Sequence, residues 1–321
     1  MITANMYGLE QSKNTTLDVA FRQTTDGKGW HNGVQFQAGN RDAEFQLVGT
    51  WELMSYLNER DRPRGRAIYL QQEPPEVYCP SWQSLMAFEL VVTPFEISRF
   101  PLGRQYLDVP PLGWMYGVGV DMVPGSGHVF APDNFLTLEQ MYRMPPPEKT
   151  KLCSCIVSTK AGTEGHARRL EVMNELKEAM GDRIDFFGFG HTPIRDKREA
   201  LDPYKYTVVM ENSVYQRYHT EKLFDAFLGY TIPIYHGGSS FFYTDTSRLS
   251  DTFRSTDIQK DLDDLRAGGS RATILKDVQD ALASGKADDE HVKRLMVSTR
   301  HRVLTEYNVF SRLANILHRI R

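Results

Sequence analysis

The segment Tyr218-His219-Thr220-Glu221-Lys222 sets a charged pair against the first turn of an apolar helical pattern. Thr220 is a good N-cap, Glu221 and Lys222 fall in the first turn, Leu223, Phe224 and Phe227 lie on or near one face, and Gly229 is a natural C-terminal stop. The N-terminus of such a helix leaves backbone N–H groups unpaired and carries about half a positive charge, so it can seat a phosphate. Lys222 adds a full charge where a cation is unfavourable unless an anion or a carboxylate offsets it. Taken alone, the lysine also fits a solvated surface side chain.

The residues before it sharpen the reading. Tyr206 to Met210 form a β-branched, aromatic run that leads straight into Glu211-Asn212-Ser213, and ligands of open α/β sheets sit beyond the carboxyl ends of the strands. Glu211 and Asn212 therefore either face such a crevice or form a turn and cap a helix. Other candidate groups carry less. Asp261 to Leu265, "DLDDL", holds an Asp-x-Asp pair inside a charged stretch that reads as a solvated helix face. Gly188 to Gly190 is a fragment of a dinucleotide fingerprint, without the third glycine. His191, His219 and His236 have no metal-type spacing, and Cys79, Cys153 and Cys155 offer neither a zinc clamp nor an even disulfide set, so they are expected as reduced, mostly buried thiols.

Strands and helices alternate through the second half of the chain. "KLCSCIVS", "IDFFGFG", "YKYTVVMEN" and "TIPIYHG" read as strands; "EGHARRLEVMNELKEAMG" and the pattern from about Thr220 read as helices. That alternation predicts parallel pairing with crossover helices. Upstream, "FQLVGT", "RAIYLQ" and "FELVVTPF" are expected strands, with "WELMSYLNE" helical between the first two. Pro145 to Pro147 interrupt the pattern and mark the domain boundary. The expected division is 1–147, 148–300 and a C-terminal amphipathic helix, 301–321. From His291 to Arg321 a single helical pattern is expected, with Val303, Tyr307, Phe310, Ala314 and Leu317 as its apolar stripe beside Arg300, Arg302, Arg312 and Arg319. The stripe either packs on the protein or lies on a membrane surface.

The 321 residues, 40% apolar and 25% charged, describe a globular chain long enough for two domains. A formal net charge of -3 disfavours a strongly basic nucleic-acid binder, so a bound anion must be held by a local cluster of cations. No basic leader opens the chain and no window reaches the ~18 apolar residues of a membrane span. A cytoplasmic location is expected, peripheral to the membrane if the last helix touches lipid; a trimmed anchor would read the same way.

The block "YKYTVVMENSVYQRYHTEKLFDAFLGYTIPIYHG" resembles the signature of the α-1,3/4-fucosyltransferases, glycosyltransferase family 10, in a bacterial-type member. There Tyr-Lys-Phe, Phe-Glu-Asn-Ser, Tyr-x-Thr-Glu-Lys, an apolar helix and a Pro-apolar-apolar-x-Gly strand follow in order. Upstream, "SCIVSTKAGTEGHARRLEVMNELKEAMGDRIDFFGFG" is similar to the family's Val-Ser-Asn segment, helix arginine and Asp-x-Tyr-Gly strand, with Arg169 matching the arginine and Arg168 the fallback. Met210 stands where phenylalanine is usual and Thr159 where asparagine is. In the first half only Glu73-Pro74-Pro75 resembles the family, matching its Glu-x-Pro after a strand.

The resemblance implies an α/β protein of GT-B architecture, two Rossmann-like domains facing across a cleft, and an inverting transfer of L-fucose from GDP-fucose to a glycan hydroxyl, with O3 of an N-acetylglucosamine as the implied position. It places the enzyme in glycan biosynthesis, of lipopolysaccharide or glycoprotein. Arg169 and Lys222 would hold the diphosphate, Glu221 a sugar or ribose hydroxyl, and Tyr218, Asn212 and Glu211 would complete the donor pocket. No metal is obligatory, although divalent ions could stimulate product release. Glu73, at the carboxyl edge of its strand, would be the catalytic base, with Glu76 its nearest competitor. Transfer of another hexose or 6-deoxyhexose from a different GDP-sugar, and a catalytically inactive GDP- or glycan-binding protein, are the alternatives.

Overall fold

The computed structural model describes residues 1–123, 127–159, 161–238 and 271–321. The Asp-x-Asp stretch 261–265 lies outside the described residues. The chain packs as two units. The first is formed by Met1–Gly113, Gly117–Met144 and Leu304–Arg321, the second by Trp114–Tyr116 and Pro145–Val303.

The first unit is built on strands β1 (Ile2–Met6), β2 (Trp30–His31), β3 (Val34–Gln37), β4 (Phe45–Gly49), β5 (Arg66–Leu70), β6 (Leu90–Thr93) and β7 (Gln105–Leu107), paired in the order β2-β3-β1-β4-β5-β6-β7. All pairings are parallel except β2 with β3. β8 (Val118–Val123) and β9 (Gly127–Phe135) form a separate antiparallel pair. Both faces of the large sheet are covered, so strands β4, β5 and β6 are buried on both sides, whereas β3 keeps the alternation of a half-covered strand. One face, with Ile2, Phe36, Leu47, Leu70 and Val92, packs on the last helix; the other, with Val48, Tyr69 and Val91, packs on Leu53, Tyr56 and Phe88. The strands expected near residues 45, 66 and 90 are present. β1, an interior strand, falls in the opening stretch, whose polar Thr3 and Asn5 hide its buried Ile2 and Ala4.

The single C-terminal helix expected from the sequence is two helices, Glu290–Thr305 and Val309–Ile320. Asn308 separates them: its Oδ1 accepts from the backbone N–H groups of Phe310 (2.8 Å) and Ser311 (3.4 Å), while its amide donates to Gln23 O (2.8 Å). The stripe does not offer lipid a face. Phe310, Ala314 and Leu317 lie in the core of the first unit with Val309, Leu313 and Ile316, and the Phe310 ring meets Phe36 edge-on at 4.9 Å. Burying each such large side chain stabilises by about 1.5–3 kcal/mol, which decides between packing and membrane contact. No helix among the described residues is long and apolar enough to cross a membrane.

The second unit carries a wholly parallel sheet, β10 (Lys151–Ile156), β11 (Ile184–Phe187), β12 (Tyr204–Met210) and β13 (Ile232–His236), in the order β11-β10-β12-β13. The helix Glu164–Met180 links β10 to β11, and the helix Glu221–Leu228 links β12 to β13, as the alternation of the sequence predicts. Cys153 and Cys155 are buried and Cys79 is exposed; all three are free thiols.

Candidate functional site

The strand order of the second unit fixes where a ligand can enter. From β10 the chain crosses to β11 on one side, then returns to β12 on the other, so the carboxyl ends of β10 and β12 splay apart at a topological switch point. β12 delivers Glu211 there, and the helix after β10 delivers Arg169. Gly165, in the first turn of that helix, lies against the loop after β12: a Cβ on it would stand 1.8 Å from Asn212 O. Only glycine permits that approach, which brings the helix, and Arg169 one turn later, onto the end of β12.

Glu211 is locked in place. Its carboxylate accepts from Thr220 N (2.8 Å) and from Thr220 Oγ1 (2.7 and 3.0 Å), and the Tyr235 hydroxyl approaches at 3.4 Å. Gly237 abuts it, since a Cβ there would lie 2.7 Å from Glu211 Cγ and 2.2 Å from the Tyr235 hydroxyl. The glycine pair after β13 is thus partly a packing requirement. Thr220 is the N-cap expected, its Oγ1 taking Lys222 N (3.4 Å). Lys222 Nζ donates to Thr220 Oγ1 (2.9 Å) and Glu221 Oε1 (3.2 Å) and stands 3.6 Å from Glu211 Oε2. Two carboxylates therefore supply the offset that a cation at a helix N-terminus requires. The Tyr218 hydroxyl donates to Asn212 Oδ1 (3.3 Å), and buried His219 shares a 3.0 Å hydrogen bond with Tyr235.

The structure changes the part assigned to Glu211. Its side chain has 0% exposure, so it cannot touch a ligand; it acts through Thr220 and Lys222. Lys222, 29% exposed, is the member of this group open to a ligand. Two further residues, unread in the sequence, complete the cluster. Lys197 Nζ lies 2.6 Å from Asp225 Oδ2 and 3.8 Å from Glu221 Oε1, and Asp225 Oδ1 accepts from Met115 N and Tyr116 N at 3.0 Å each. Asp225 was visible as an acid on the otherwise apolar "LFDAFL" helix; Lys197, in the charged run "IRDKREA", gave no signal.

Electrostatics separates these groups. Burial pushes the Glu211 carboxyl up against the pull of Lys222, and likewise Asp225 against Lys197. Burial alone would raise Glu221 too, but Lys222 and Lys197 outweigh it and hold that carboxyl at about 2. Burial would depress Lys222; Glu221 and Glu211 outweigh it and raise its pKa. Arg169 is the exception. It is buried to 8% exposure, burial lowers its pKa, and Glu211 and Glu221 act on it only through their fields. Its Nε has no hydrogen-bond partner and it makes no ion pair among the described residues. A buried donor left unsatisfied costs about 1–3 kcal/mol, and an anion at the switch point, between Arg169 and Lys222, would remove that cost. Arg168, the fallback, is less buried and on a different side of its helix turn.

Glu73 belongs to the first unit, in the loop after β5 and beyond the carboxyl edge of that sheet; its own carbonyl accepts from Gln71 Nε2 (2.6 Å). Pro74 is buried and Glu76 exposed.

Residues 146–256 match the family model described as glycosyltransferase family 10 (fucosyltransferase) C-term. The resemblance read from the sequence holds over that segment, which contains the whole cluster from Arg169 to Lys222. No curated protein is significantly similar to the chain. Among solved structures, an α1,3-fucosyltransferase with GDP is 15% identical over 88% of this chain and 81% of that chain, with a TM-score of 0.42. A further α1,3-fucosyltransferase structure is 14% identical over 88% of this chain and 80% of that chain, with a TM-score of 0.43. Likeness of that degree adds no weight to any assignment.

Proposed function

We propose that the protein is an inverting fucosyltransferase that moves L-fucose from GDP-fucose to a hydroxyl of a glycan acceptor. The observation that carries this is the buried, unpaired Arg169 guanidinium beside Lys222 at the switch point of a segment that matches the fucosyltransferase family model. Arg169 and Lys222 take the diphosphate, Glu221 and Asn212 take hydroxyls of sugar or ribose, and Tyr218 supports Asn212. Glu73 accepts the acceptor hydroxyl's proton as that oxygen bonds to the anomeric carbon. The bond from that carbon to the β-phosphate oxygen breaks, and its electron pair leaves with GDP, where the two cations stabilise the new charge. Those cations do the work a metal does elsewhere, so EDTA should leave most of the activity. O3 of N-acetylglucosamine is the acceptor position we favour, in a cytoplasmic step of glycan assembly.

The test is a panel of nucleotide sugars incubated with glycan acceptors and read by mass spectrometry. Addition of one deoxyhexose from GDP-fucose is expected. Turnover of a different GDP-sugar alone would move the assignment to that donor, and GDP binding without turnover of any donor would mark an inactive binding protein.

A further inference from the structure

The sheet of the first unit has a switch point of its own. From β1 the chain goes to β3 on one side and then to β4 on the other, so the carboxyl ends of β1 and β4 diverge. Trp51 and Glu52 leave β4 at that point. The loops there are stapled together: Gln72 N donates to Thr50 Oγ1 (2.8 Å), Thr50 N donates to Gln72 Oε1 (3.3 Å), and Gly8, just past β1, lies so near Glu52 that a Cβ would meet its Cγ at 3.0 Å. Trp51 follows Thr50 and Glu73 follows Gln72, so both are fixed to the same edge.

Trp51 is 62% exposed, and its ring lies 5.9 Å from that of Tyr78, which closes the loop carrying Glu73. Gln71 holds that loop by donating to Glu73 O (2.6 Å) and Tyr78 O (3.2 Å). Glu52 is half buried; its backbone carbonyl accepts from Tyr56 N (2.9 Å), but its carboxyl makes no ion pair or hydrogen bond with another described residue, and burial raises the carboxyl pKa. The exposed Trp51 ring, with half-buried Tyr78 beside it, gives dispersion and a negative π-face to the C–H groups of a flat ligand. The carboxylates of Glu52, Glu73 and Glu76 accept hydroxyl protons and repel phosphates. Together these features select a neutral, polyhydroxylated ring over nucleic acid or anionic lipid.

We infer that Trp51, Tyr78 and Glu52 form the acceptor subsite, with the face of a pyranose stacked on Trp51 and a hydroxyl held by Glu52. This rests on the transferase reading and adds the residues that select its acceptor. The experiment is saturation-transfer NMR of N-acetylglucosamine and N-acetyllactosamine on the intact protein, with acceptor KM and kcat measured alongside where transfer is seen. Trp51→Ala is expected to weaken saccharide binding and raise acceptor KM about tenfold, Trp51→Phe to stay within about threefold of the wild type, and Glu52→Gln to raise acceptor KM several-fold; GDP affinity should not change in any of them. Trp51 is exposed, so its loss should leave the fold intact. Saccharide binding that depends on Trp51 without turnover of any donor would keep the subsite and remove the transferase. No saccharide signal in the wild type, an unchanged signal and KM in Trp51→Ala, or an effect of that variant on self-association alone would overturn the subsite.

Discussion

The switch points of the two sheets are furnished in opposite ways. In the second unit, three cations (Arg169, Lys197, Lys222) and three carboxylates (Glu211, Glu221, Asp225) crowd a largely buried cluster in which ion pairs fix every member but Arg169. In the first unit, Trp51, Tyr78, Glu52 and Glu73 line an open edge stapled by amide and hydroxyl groups. A diphosphate needs fixed positive charge held away from water, where each charge counts for more. A glycan hydroxyl needs a carboxylate that can take a proton and a surface that tolerates several rings. The contrast follows from the chemistry each edge would serve.

The contrast breaks or holds on the separation of rate from donor affinity. Glu73→Gln keeps the volume and removes the carboxylate proposed as the base, so transfer should slow by roughly 10²- to 10⁴-fold while GDP binding stays the same. Wild-type rates in Glu73→Gln with a loss in Glu76→Gln would move the base three residues along, and loss of GDP affinity in Glu73→Gln would dissolve the division of labour. Next in size is the internal balance of the second unit. Lys197→Met leaves Asp225 with only its two backbone donors and Glu221 with Lys222 alone, which should lower stability by about 3 kcal/mol in urea unfolding; an unchanged midpoint would mean that the cluster is not held by its charges.

A third effect belongs to the first unit and is a response to acid, felt only as the pH falls below the ordinary histidine range. Burial depresses His31 to about 4, and its Nε2 shares a 2.8 Å hydrogen bond with Ser311 on the last helix. In the unfolded chain this histidine takes its proton near its ordinary value, about 6.5. The folded state resists protonation, so its contribution is intact above pH 6.5 and is lost as the pH falls to 4. His31→Gln should flatten that part of the stability profile, and an identical slope would exclude His31 as the cause.

Much of the second unit was legible because its chemistry is contiguous. From Tyr204 to Gly238 the chain runs strand, turn, cap, helix and strand, so the order of residue types describes the site almost directly. What could not be read were the partners supplied from outside that run. Lys197 meets Asp225 only once the sheet is assembled, and the burial that excludes Glu211 from ligand contact depends on Tyr235 and Gly237 packing over it. In the first unit, Trp51 and Tyr78 are 27 positions apart and meet only because β4 and β5 pair from Phe45↔Arg66 to Gly49↔Leu70. The polar Asn308 that divides the closing helices sits within an unbroken apolar period, and its capping role shows only in three dimensions.

Calorimetric titration of GDP into the wild type, Arg169→Ala and Lys222→Ala reaches the central claim most directly. Charge-assisted contacts to phosphate are worth about 1.5–3 kcal/mol each, so each substitution should weaken GDP binding on the order of tenfold to a hundredfold with the fold intact. Unchanged GDP affinity in both variants would contradict the account and take the switch point of the second unit out of nucleotide-sugar binding.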